Sequence, residues 1–180
     1  ISGHRLPEVL ATERGWLLDG MADAHKFNAG GRPVIYGEPE LVCAMTRLCL
    51  ENGAVPLVIA TGSGNSRLPA RLDMLPDRPD SLPNVMEESD FAAIEDAALR
   101  AGANIAIGYS GGKFLTERHG IPLVRAGFPI YDRVGGQRLL IVGYTGTLAF
   151  LDRFTNTLLE SKYASYRAQA RENMGIKEGI

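Results

Sequence analysis

The sequence predicts a doubly wound α/β fold: a mainly parallel sheet in a three-layer αβα arrangement, with helical extensions at its N- and C-terminal ends. Three observations carry this reading. Short apolar runs closed by glycine, such as "RPVIYG", "AVPLVIATG" and "ANIAIG", alternate with segments of helical periodicity. The runs are apolar throughout, as strands are when helices cover both faces of a parallel sheet. The alternation is that of strands joined by helical crossovers, the connection parallel pairing requires.

Taken in order, Pro7 to Phe27 reads as a helix, with Leu10, Leu17, Leu18, Met21 and Ala22 at helical spacing and "NAGG" closing it. "RPVIYG" is a buried strand. "EPELVCAMTRLCLENG" is a helix with Pro39 in its first turn, and "AVPLVIATG" a second strand. Ser63 to Asp90 holds four prolines and no sustained period, so residues 63–90 form an irregular surface excursion in which "NVMEE" reads as a short edge strand. "SDFAAIEDAALRAG" is a helix capped by Ser89 or Asp90. "ANIAIGYSGG" is a strand running into a glycine turn, "KFLTERHG" a short helix and "IPLVRAGF" another strand. "RLLIVGYTG" is apolar again, and a long last helix starts near Thr147, turning polar before residues 175–180 fray.

At 180 residues the chain is most simply one domain, 1–180, and 45% hydrophobic with 22% charged residues is the balance of a soluble globular protein. A net charge of -2 offers no basic footprint for nucleic acid. No apolar run is long enough to span a membrane, and no secretory leader opens the chain. Cys43 and Cys49 lie six apart in one helix, on faces roughly 120° apart, so they read as free thiols of a cytoplasmic protein. The first residue is Ile, which suggests a processed or excised piece.

Function in such sheets gathers at the carboxyl ends of the strands, here "GEPE", "TGSGNSR", "GYSGGK" and "GFPIYDRVGGQR". "IGYSGGKF" is an incomplete phosphate loop, with Ile107 where its first glycine belongs and Phe114 where a magnesium-holding hydroxyl belongs. "TGSGNSR" runs into prolines, not into a helix N-terminus that could hold pyrophosphate. A nucleotide- or small-molecule-binding module is the alternative these loops leave open. His4 lies near the N-terminus and His119 at a helix end, where a cation is an ordinary structural choice. His25 sits in "LLDGMADAH" beside Asp19 and Asp23, an i,i+4 pair that reads either as a solvated acidic face or as half of a hard-cation site. Asp132 and Arg133, followed by the Gly135-Gly136 hinge, read as a structural ion pair or as a functional loop.

Several ordered segments together resemble the nitrogenase component 1 family: "ERGWLLDGMADAH", "GRPVIYGEPELV", "GIPLVRAGFPIYDRVGGQR", and "VGYTGT" ahead of a helix carrying "LDRFTNTLLE". More narrowly they are similar to its β-type chains, and the His-free "DRVGGQR" leans towards the scaffold that assembles the iron-molybdenum cofactor over the catalytic molybdenum-iron β chain. The resemblance implies a Rossmann-like domain, the last of three in a β-type chain, with a structural and interface role. Asp132, Arg133, Gly135 and Gly136 would form an interface or cavity loop with no catalytic residue. No cofactor is expected in this domain. The iron-sulfur or iron-molybdenum cluster would belong to the parent heterotetramer, built with an α-type subunit and a second β-type chain and served by a reductase iron protein. The resemblance also implies that Asp19 and Asp23 contribute to a divalent cation site between β-type chains.

Overall fold

The computed structural model describes residues 5–75 and 84–174. Five strands, β1 (Pro33–Tyr36), β2 (Val58–Ala60), β3 (Asn84–Met86), β4 (Ile105–Gly108) and β5 (Leu123–Arg125), form one sheet in the order β3-β2-β1-β4-β5, and every pairing is parallel. Six helices accompany them: α1 (Glu8–Asn28), α2 (Pro39–Glu51), α3 (Leu68–Asp73), α4 (Phe91–Ala101), α5 (Lys113–His119) and α6 (Gly143–Asn173).

Side chains alternate across a strand, so each strand serves two cores. Ile35, Ile59, Ile105, Ile107 and Val124 meet Val42, Leu68, Phe150 and Phe154, which places α2, α3 and α6 on one face. Val34, Tyr36, Val58, Ala106 and Leu123 meet Ile94, Ala97 and Leu115, which places α4 and α5 on the other. Crossovers from β1 towards β3 use the first face and the return through β4 to β5 uses the second. That is double winding, and its switch point lies between β1 and β4.

Helix α1 lies outside this sandwich against α6, where Gly20 faces Leu148, and past its end Gly31 faces Leu158. It buries only Ala24 and Asn28, and the Asn28 amide donates to Asn52 at the end of α2 (3.1 Å). Trp16, Val9 and Leu18 remain exposed.

Two elements differ from the sequence reading. The excursion over 63–90 contains α3, whose Leu68 and Leu72 lie one turn apart and are both buried. The remainder of that stretch, 76–83, lies outside the described residues, as do His4 and the end expected to fray, 175–180. The last helix begins at Gly143, not near Thr147, and the preceding apolar stretch forms no strand: Leu139, Leu140 and Val142 are exposed while Ile141 packs on the core. The edge strand read in "NVMEE" is β3.

Capping follows local chemistry. Asp90 starts α4, its carboxylate accepting from the Ala93 N–H at 2.8 Å. Asp90→Ala should lower stability by about 1 kcal/mol, read as a shifted urea midpoint at constant slope.

Candidate functional site

At the switch point the crevice is filled by protein. Tyr36, at the end of β1, is buried and donates its hydroxyl to the Tyr109 carbonyl (2.9 Å), with edge-on ring contacts to Tyr109 and Phe91. Burial drives its phenol far above the ordinary range, so it stays a neutral donor. Gly108 and Gly112 lie directly against Tyr36, where a Cβ at either would overlap the ring or its hydroxyl. The glycines of "IGYSGGK" therefore make room for an aromatic side chain. In "TGSGNSR" the Ser66 hydroxyl donates to Glu87 and Gly64 packs on Glu88, two carboxylates that repel phosphate.

The chemistry at the carboxyl edge centres on Asp132. Arg125, the last residue of β5, donates Nε to both Asp132 oxygens (2.9 and 3.1 Å) and Nη2 to Oδ2, a bidentate pair. The Ser110 hydroxyl donates to the same carboxylate and accepts from the Tyr131 N–H (3.0 Å), while the Ser110 N–H donates to Pro129 O (3.1 Å). The two charged side chains are only 15% and 12% exposed. The Arg125 hydrogen bonds hold Asp132 well below the usual carboxylate range, against the opposing effect of burial.

Arg133 is the lesser partner: its Nη1 lies 3.8 Å from the carboxylate and donates instead to the Asp132 carbonyl (2.7 Å). The ion pair sought in "DR" thus runs from Asp132 to Arg125. Arg125 and Ser110 are the residues the motif reading missed. The signal for Arg125 was present, since a charge at the end of a buried strand requires a counter-charge.

This clamp anchors the base of the loop and leaves its tip bare. Gln137 donates to Ile130 O (3.0 Å), and Gly135, at φ +74°, turns the chain where an L side chain would be strained. Gly136 is buried against Ile130. Outward stand Phe128, Tyr131, Val134, Leu139, Leu140 and Val142, with Val134 fully exposed. Gly135→Ala should cost about 1–2 kcal/mol by forcing a left-handed conformation on alanine, measurable by chemical denaturation.

Asp19 and Asp23 are exposed on α1. Asp23 lines a shallow cleft of about 190 Å³ with Asp152, Thr155 and Asn156 of α6; Asp19 does not. Among the described residues no three His, Cys, Asp or Glu side chains form a metal-holding group. His119 pairs with Glu95 (2.8 Å), the structural role expected of it. Cys49 is buried, its thiol pushed up to about 12 by desolvation, and Cys43 is half-buried; both are free.

The fold and this edge define a doubly wound α/β domain that presents an apolar loop above the Arg125–Asp132–Ser110 cluster. Residues 1–159 match the model of the nitrogenase component 1 type oxidoreductases. The nitrogenase molybdenum-iron protein beta chain of Methanothermobacter marburgensis is 38% identical over 164 residues, 91% of this chain and 36% of that one. The nitrogenase iron-iron protein beta chain of Rhodobacter capsulatus is 32% identical, over 88% of this chain and 35% of that one. A solved structure described as nitrogenase Cp1 at pH 6.5 superposes with a TM-score of 0.82 at 31% identity, covering 88% of this chain and 35% of the other. The chain belongs to the nitrogenase component 1 family, as a domain of β type. It spans about a third of the length of the relatives it matches.

Proposed function

We propose that this domain serves a β-type subunit as an assembly and interface element, the last of three domains, and carries no catalytic residue of its own. The observation that carries this is the loop 128–142: a part-buried ion pair fixes its base while its apolar side chains face outward. Exposed apolar groups on an anchored frame are the form of a surface made to be covered. An α-type subunit is the occupant the family suggests, with Asp132, Arg133, Gly135 and Gly136 shaping the edge of a cavity around a cluster held elsewhere. Between Ile121 and Gly146 there is neither His nor Cys, hence no ligand for an iron-sulfur or iron-molybdenum cluster in this loop.

Two parent complexes fit. The His-free loop favours the scaffold for iron-molybdenum cofactor assembly. The second reading is the catalytic β chain of a dinitrogen-reducing complex served by a reductase iron protein, the kind of chain that the relatives quoted above are named for. In either complex Asp19 and Asp23 would offer oxygen ligands to a divalent cation completed by a second β-type chain. Iron and acid-labile sulfide analysis of the purified chain tests the division of labour. Neither should be present in stoichiometric amount, and a retained cluster would overturn it.

A further inference from the structure

We propose that a cleft at the opposite, amino edge of the sheet is an oxyanion site. Its volume is about 510 Å³, within the range of small-molecule sites. Lys26, in the last turn of α1, and Lys162 on α6 both line it, with Asn104 and Gly30 among the other lining residues and no Asp or Glu. Asn104 is fixed, accepting from the Arg32 N–H (2.7 Å) and donating to Gly30 O (2.9 Å).

Neither ammonium has a carboxylate partner among the described residues. Each rests over an aromatic ring instead, Lys26 Nζ 4.8 Å from the Phe27 centroid and Lys162 Nζ 5.7 Å from that of Tyr166. A ring face holds a cation weakly in water, and a phosphate or carboxylate offers the same groups stronger charge-assisted bonds. Ser161 and Tyr166, residues with a hydroxyl donor, are also among its lining. The adjoining cleft, which shares Phe27 and Leu159, holds Asp23 and Asp152 and has the opposite sign. An oxyanion is therefore directed to the lysine side.

A free phosphate compound and the carboxylates of a neighbouring polypeptide present the same chemistry, and titration separates them. Inorganic pyrophosphate and a hexaglutamate peptide are titrated calorimetrically into the chain at low ionic strength. Saturation at one site per chain is expected. Lys26→Ala and Lys162→Ala should each weaken it about fivefold, the limit of an exposed ion pair, and the double variant should weaken it about 25-fold. The melting temperature should stay parental, because both side chains are exposed. Tighter pyrophosphate binding assigns a free phosphate ligand, and tighter peptide binding assigns a covering polypeptide. No saturable binding of either probe, or binding unchanged in the double variant, would overturn the site.

Discussion

Arg125→Met should lower the unfolding free energy by about 2 kcal/mol, the cost of stranding a part-buried carboxylate without its charged donor. The cost lies in what is left behind: Asp132 keeps its Ser110 bond but sits 12% exposed without its counter-charge. Arg125→Met combined with Asp132→Leu should recover much of the loss, because removing both partners also removes the stranded charge. A double-mutant cycle by chemical denaturation measures this coupling, and additive losses would contradict the pairing.

The pair also sets an acid dependence. Asp132 has a depressed folded-state pKa, so its contribution is fully present above the ordinary carboxylate value of about 3.9 and is lost as pH falls below it towards the folded value. Stability should therefore fall below about pH 4 in the parent chain. In Arg125→Met that acid-side fall should shrink, since the Arg125 hydrogen bonds are the largest cause of the shift.

Gly112→Ala should cost about 3 kcal/mol, the upper end of ordinary overpacking, because the new methyl overlaps the Tyr36 hydroxyl inside the sheet's second core. Tyr36 cannot swing away, being held by Tyr109 O, Tyr109 and Phe91. Tyr36→Phe alone should cost about 1 kcal/mol for the lost hydrogen bond. In the Gly112→Ala background the same change should instead recover part of the loss, since the clashing oxygen goes while the ring carbon at 2.9 Å and Leu123 at 3.1 Å remain. That reversal of sign, read as melting temperature, distinguishes packing against Tyr36 from a glycine kept for a phosphate.

The architecture was legible because "PVIY", "VIA" and "IAIG" are apolar on both faces, and only a covered parallel sheet places such strands. Helix α3 was not, since six residues with Pro69 in the first turn are too short to show a period; only Leu68 and Leu72 mark its inner face. The start of α6 was obscured by Gly143 and Gly146, poor helix formers that nevertheless lie within the helix. At the site, the loop could be found from its interruption of the apolar pattern. Its partner went unread, because "DR" suggests a neighbour in sequence while the actual pairing reaches back to the charge at the end of β5. Ser110 arrives from β4, a tertiary contact that no local motif encodes.

Co-purification of a β-type subunit carrying Val134→Asp with its α-type partner tests the interface reading most directly. Val134 is fully exposed, so aspartate should change the chain's own stability by no more than about 0.5 kcal/mol. Loss of the α-type partner at parental melting temperature is the predicted result. Recovery of the complex at parental yield would contradict the assignment of loop 128–142 as the covered surface.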